Sequence, residues 1–359
     1  MAFDFRLPSS SALQPTTGFE FDGKSKSRQL FLTSERSGFS KSALLLIVAP
    51  FFFVAAILYT SFLGGLGQRP GIVIEKSPSC KNPIVRREWR TLSVTEKHTY
   101  LKAVQCLWEQ PSRIGLNHSL YEDFPWVHSR MGNFSHNTPA FIAWHRYFLN
   151  IYERTLQEQC GYSGHLAYWD WSLDWEDMTK SPIWDSTTGF GGNGNKDSDR
   201  SVGYGHCITD GPFANRTLLY FGAEYGAHCL SRGFIHGDHL RAVFGLKVQP
   251  EALEAVLLES DYESFNLKLE EGPHNAIPRA IRGDFLRVTA PNDPVFFLHH
   301  TQLDRMWWQW QQRDPQRRLF QYSRDSHVIN EMFKFGDFAP DRKVSDIMST
   351  ETALLCYRY

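Results

Sequence analysis

Two stretches decide the reading of this chain: WVHSRMGNFSHNTPAFIAWHRYFLNIYE, from Trp126 to Glu153, and GPHNAIPRAIRGDFLRVTAPNDPVFFLHHTQLDRMWWQW, from Gly272 to Trp310. The first holds His128, His136 and His145; the second holds His274, His299 and His300. Both set their histidines among aromatic residues. Neutral imidazole is a borderline-soft ligand suited to copper, and three per metal leave an open side for dioxygen. Two such sets, brought together on facing helices, make a dinuclear site.

Outward from these stretches the pattern is helical. Ser93 to Cys106 opens with a Ser-x-x-Glu capping box that fixes a helix start. Further helices are predicted over Phe141 to Gln159, Pro250 to Glu259 and Asp293 to Gln312. The Gly-, Asn- and Asp-rich run from Asp185 to Arg200 reads as a surface loop. The expected fold is all-α, a central four-helix bundle with ligands on facing helices, long loops and little strand.

With 359 residues, 42% of them hydrophobic and 14% aromatic, the chain can bury a sizeable core. Its 38 basic and 39 acidic residues give a formal charge of -1, so no extended positive field recommends nucleic acid as a partner. No charged residue occurs between Lys41 and Arg69, and Ala43 to Leu63 is apolar and long enough to cross a bilayer as a helix. Lys24, Lys26, Arg28, Arg36 and Lys41 precede it. The positive-inside rule therefore places the N-terminus in the cytosol and the rest in the lumen or outside, as a single-pass type II membrane protein. The expected organisation is a disordered tail (1–41), a transmembrane signal-anchor helix (42–66), a stalk (67–82) and one copper-binding domain (83–359). All six cysteines follow the span, as do the glycosylation sequons at Asn117, Asn133 and Asn215, which suits an oxidising compartment. Fifteen full pairings of six cysteines are possible, and the residues alone leave the connectivity open.

The two histidine stretches resemble the copper signatures of the tyrosinase family. His136, Phe141, Ile142, Trp144, His145, Arg146, Leu149 and Glu153 fit the first signature, and Asp293, Pro294, Phe296, Phe297, His300 and Asp304 the second. Between them Cys160 to Tyr162, Tyr168 to Trp171 and Thr188 to Gly194 are similar to fungal members. The resemblance spans about residues 80 to 359 and implies a type-3 copper protein. His128, His136 and His145 would hold one copper ion, His274 and His300 a second, with O2 as co-substrate. It also implies Phe296 as a gate over the metals. Asn275 would help deprotonate a monophenol beside a glutamate, for which Glu263, Glu270 and Glu271 are candidates. The implied reaction is oxidation of a small phenol or catechol to an ortho-quinone, in pigment or secondary-metabolite synthesis.

His299 follows about 100° round the helix from His300, so it is expected to point away from the metal that His300 holds and to orient the site by hydrogen bonding. Asp304 is read as support with Arg305 or Arg146. The resemblance further implies an arginine of Arg86 to Arg90 stacked on the Tyr357-x-Tyr359 motif, and with it a Cys80 to Cys356 bridge. One departure stands out. Where the family carries a ligand four residues after His274, this chain has Pro278, which offers copper no nitrogen. Either another residue fills in, with His228, His236 and His239 as candidates, or two histidines hold the ion, or the site is degenerate. The rival functions are accordingly an asymmetric or mononuclear copper oxidase and a non-catalytic relative.

Overall fold

The computed structural model describes residues 78–222, 224–323 and 326–359. The tail, the apolar span and the stalk up to residue 77 lie outside the described residues. Among those described, no helix is long and apolar enough to cross a membrane.

Among the described residues, the α-helices of seven residues or more are α1 (Val94–Leu107), α2 (Leu120–Val127), α3 (Ala140–Cys160), α4 (Gly237–Val243), α5 (Pro250–Leu257), α6 (Tyr262–Leu269), α7 (Asn275–Ile281) and α8 (Val295–Gln312). Helix α1 starts where its capping box requires. The Ser93 hydroxyl accepts the Glu96 backbone N–H while the Glu96 carboxylate accepts that of Ser93. Pro139 and Pro294 stand immediately before α3 and α8, where a missing N–H costs nothing. Helix α3 ends on Gly161 at φ +63°, the left-handed conformation that glycine adopts without strain.

From Phe141 to Glu153 every residue of α3 is buried, and α8 is buried from Val295 to Asp304. A helix enclosed on all sides is the centre of a domain rather than its skin. These two helices pack against each other, with α1 against α3 and the α6–α7 segment against α8. Trp89, Trp144, Trp169, Trp171, Trp307 and Trp310 are all within the core. Each large apolar side chain so enclosed contributes roughly 1.5–3 kcal/mol.

The strands are short and paired in twos. They are β1 (Ile84–Val85), β2 (His206–Cys207), β3 (Thr217–Phe221), β4 (Glu224–Cys229), β5 (Ser231–Arg232), β6 (Met332–Phe333), β7 (Arg342–Lys343) and β8 (Tyr357–Arg358). Parallel pairing of β1 with β8 joins the two ends of the domain. Just outside that pair, Cys80 is bridged to Cys356, the Cys80 N–H donates to the Glu351 carbonyl, and the Ala353 N–H donates to that of Pro78. The chain thus enters the folded unit by residue 78, ahead of the boundary expected at 83. Cys106–Cys160 clips α1 to the end of α3, and Cys207–Cys229 clips β2 to β4.

The Asp185 to Arg200 segment departs from a simple surface loop. Gly189, Phe190, Gly191 and Gly194 are buried. The Arg232 guanidinium donates to the carbonyls of Phe190, Gly191 and Gly192. Gly191 has φ +80°, and a Cβ there would lie 2.5 Å from the Asp210 carbonyl oxygen. Its glycines therefore serve close packing against a buried cation as well as turning.

Candidate metal centre

His128 closes α2, where the backbone widens into a π-helical turn at His128–Gly132; His145 lies in the second turn of α3. His136 sits between them in extended conformation. The approach is tight: a Cβ on Gly132 would stand 2.7 Å from the Trp144 ring. His128 Nδ1 donates to the Val288 carbonyl at 2.5 Å and His145 Nδ1 to the Phe141 carbonyl at 2.7 Å. Both neutral rings therefore keep a bare lone pair on Nε2. Those two Nε2 atoms face each other 3.1 Å apart. Two lone pairs so placed repel unless an electrophile joins them, and with His136 their ligand nitrogens all lie within 4.8 Å of one another.

The second set is built from α8 and from the π-helical turn Glu270–His274 between α6 and α7. His274 Nδ1 donates to the Asn275 side-chain oxygen at 3.2 Å, freeing its Nε2. The His145 and His300 rings stack with centroids 4.3 Å apart and planes 16° apart, so the two sets adjoin.

His299 departs from the helical-wheel expectation. A ring nitrogen of His299 comes within 4.8 Å of ligand nitrogens of both His274 and His300, so sequence adjacency does not carry it away from the metal site. Trp171 Nε1–H donates to His299 Nδ1 at 3.1 Å. Burial pushes its pKa down to about 3, so the ring is neutral and its single proton sits on Nε2, which is buried without a partner among the described residues. His299 therefore meets the site as a hydrogen-bond donor, and ligation through Nε2 requires that proton to leave.

Pro278 lines the cavity beside His274. The three histidines considered as its replacement lie elsewhere. His228 Nε2 pairs with Asp284 at 2.8 Å, His236 stands beside Asn193, and His239 packs on Phe244. Burial depresses the pKa of the other imidazoles too: His128 to about 3, His145, His274 and His300 well below the ordinary value, and His136 less strongly. All are neutral imidazoles at physiological pH, the form in which histidine can bind a metal.

Around the rings a charged frame fixes the helices. Asp304, one turn after His300, accepts Arg146 Nε at 2.5 Å, Tyr357 OH at 2.6 Å and Tyr359 OH at 2.5 Å. Arg305 instead reaches Asp170, at 3.2 Å. Arg86 is the arginine that meets the tyrosine motif: its guanidinium lies 3.5 Å above the Tyr357 ring and pairs with Glu153. None of this Arg86 and Glu153 geometry follows from spacing alone.

Phe296 stands with its ring centroid 4.1 Å from that of His300 and 5.1 Å from that of His128, at the wall of a cavity of about 210 Å³. His128, His136, His274, His300 and Asn275 also face this cavity. Of the candidate glutamates, Glu271 is exposed, Glu263 half-buried and Glu270 buried. Glu270 accepts the Asn137 N–H at 2.9 Å, tying the loop that carries His136 to the turn that carries His274. Burial raises its carboxyl to about 7. Asn117, Asn133 and Asn215 are all exposed.

Residues 118–313 match the model of the common central domain of tyrosinase. The chain is 42% identical over 346 residues to the tyrosinase-like protein phomQ1 of Diaporthe leptostromiformis, covering 89% of each. It is 40% identical over 289 residues to the tyrosinase ustQ of Aspergillus flavus, covering 79% of this chain and 81% of that one. Among solved structures it resembles a polyphenol oxidase (mutant G292N) from Thermothelomyces thermophila, with TM-score 0.68 and 28% identity over 79% of this chain and 90% of that one. An octopus hemocyanin unit shares the fold, at TM-score 0.55 and 18% identity over 77% and 68%. This kinship makes copper the metal that the bare Nε2 atoms suit and oxidation the class of reaction. The chain belongs to the tyrosinase family.

Proposed function

We propose that this chain uses two copper ions and O2 to oxidise phenols or catechols to ortho-quinones. The observation that carries the reading is the His145–His300 stack, which joins two buried groups of neutral imidazoles beneath one open cavity. His128, His136 and His145 would hold the first ion, and His274 and His300 the second. Bound copper supplies the electron transfer with O2 that side chains lack. The chain's own residues orient the rings. The Val288 and Phe141 carbonyls fix two rings by their Nδ1 protons, and Asn275 does the same for His274. Phe296 gives a phenol ring an apolar wall beside His300.

Pro278 favours a second reading, an asymmetric oxidase with a weakly held second ion. Copper per chain in the purified protein separates them. About two ions with phenol oxidation supports the first reading, one supports the second, and none with no oxidation supports a non-catalytic relative.

We also infer that Ala43 to Leu63 anchors the domain on the luminal or outer face of a membrane, for a role in pigment or secondary metabolism. The charge-free run, three disulfides and three exposed sequons support it. Glycosidase sensitivity and protease protection in sealed membranes test it. A domain cleaved from the cytosolic side and free of glycan would refute it.

A further inference from the structure

Three side chains outside the histidine-lined cavity form a hydrogen-bonded row. Asp123 on α2, whose side chain is fully buried, accepts His118 Nε2–H at 2.7 Å. The Ser112 hydroxyl and the Arg113 backbone N–H also donate to this carboxylate, each at 2.7 Å. An ionised carboxylate only accepts, so the neutral His118 ring carries its proton on Nε2 and keeps a bare lone pair on Nδ1. That atom lies 2.8 Å from the Tyr220 hydroxyl on β3, which donates to it. Burial and the nearby Glu122 carboxylate raise the Tyr220 pKa, so the phenol holds this proton at physiological pH. Tyr121 and Tyr262 differ: their hydroxyls donate to the carbonyls of Pro291 and Pro139, which take up no proton.

Two routes lead away from Tyr220. Inward, Gly222 donates its N–H to Thr289 Oγ1 at 2.9 Å, and the carbonyl of the neighbouring Val288 accepts His128 Nδ1–H at 2.5 Å. The Asn292 amide donates to the Tyr220 carbonyl at 2.6 Å and holds the same two segments together. A few covalent bonds and two hydrogen bonds thus join the phenol to an imidazole of the first set. Outward, the Tyr220 ring centroid lies 5.6 Å from that of Tyr225, which is 71% exposed.

Resting on the oxidase reading above for its oxidant, we propose that Tyr220 is a redox-active tyrosine that carries electrons from the surface towards the metal centre, with His118 as its proton acceptor. When O2 is only partly reduced at the metal centre, the reduced oxygen species released there takes one electron from Tyr220. The Tyr220 O–H bond breaks and an N–H bond forms on His118 Nδ1. A neutral phenoxyl radical then faces an imidazolium paired with Asp123. A phenol or another one-electron donor at the Tyr225 surface returns the electron, and the proton moves back from His118. The imidazoles are thereby spared oxidation.

The test photo-oxidises the copper-free full chain with ruthenium tris(bipyridine) and persulfate and records high-field electron paramagnetic resonance. Wild type should give a tyrosyl signal whose gx component carries the shift of a hydrogen-bonded phenoxyl. That component should be lost in Y220F, which leaves the His118–Asp123 pair in place, and should move to the unbonded position in H118L. In the copper-loaded chain held under O2 without phenol, Y220F should lose phenol-oxidising activity severalfold faster than wild type. No such signal in wild type, a signal unchanged in either variant, or equal loss of activity in wild type and Y220F overturns the proposal. If the copper-free chain gives the Tyr220 signal but the copper-loaded chain oxidises no phenol, the oxidase reading fails and the Tyr220–His118 couple stands.

Discussion

Arg86 and Tyr357, from opposite ends of the folded domain, lie in cation–π contact, the guanidinium 3.5 Å from the ring centroid. The same guanidinium pairs with Glu153 on α3 and stands 3.5 Å from Asp304 on α8. One side chain thus locks the closing strand pair to the two helices that carry His145 and His300.

Arg86→Ala should lower stability by about 3–5 kcal/mol, because it strands a buried carboxylate as well as losing the stack. Urea unfolding followed by far-UV circular dichroism measures it. Arg86→Lys should recover only part, since an ammonium supplies charge without the planar fork.

Acid sensitivity follows from Glu153. Burial alone would raise its pKa; the Arg86 charge with hydrogen bonds from His165 and Leu166 outweighs that and holds it at about 2. A depressed carboxylate stabilises the fold above its unfolded value of 4.5, and that stability is lost as pH falls toward 2. The contribution is on the order of 3 kcal/mol. Glu153→Gln should be less stable at pH 7 and show a flatter decline between pH 4.5 and pH 2 in thermal melts.

His145→Ala should leave the disulfide-clipped fold intact and abolish copper retention by the first set. Its Nε2 is one of the two facing lone pairs, and no other nitrogen replaces it. Metal analysis and near-UV circular dichroism check the two halves of this statement. A variant that keeps full copper would remove His145 from the ligand set.

Pro278→His should raise copper retention against a chelator severalfold, with Pro278→Ala as the control for relief of the helix. The substitution offers a nitrogen one turn beyond His274 in a wall that already faces the cavity. Equal retention in all three proteins would show that the second ion needs nothing from residue 278.

Trp171→Phe removes the N–H donor that occupies His299 Nδ1. The neutral ring can then carry its proton on Nδ1 and offer Nε2 to a metal. Copper retention should rise in this variant. A fall would show that the orientation enforced by Trp171 matters more than the tautomer.

The sequence by itself determined four of the helices, the Ser93 cap and most of the imidazoles. Ser93 with Glu96 and the aromatic spacing around His145 and His300 act within a few residues, so local chemistry announces them. The resemblance added Phe296, Asn275, an arginine stacked on the tyrosine motif and the Cys80–Cys356 bridge, and the structure singles out Arg86 as that arginine. Tertiary structure decided what depends on groups distant in the chain. The nearness of His299 to the metal site, the tautomer imposed by Trp171, the tie between Glu270 and Asn137, and the burial of Gly191 under Arg232 all join separate segments. Helical angle fixes where a Cα points, but the rotamer and the neighbours packed against it decide where a ring nitrogen ends. That is why His299 read as turned away in one dimension and stands beside His274 and His300 in three.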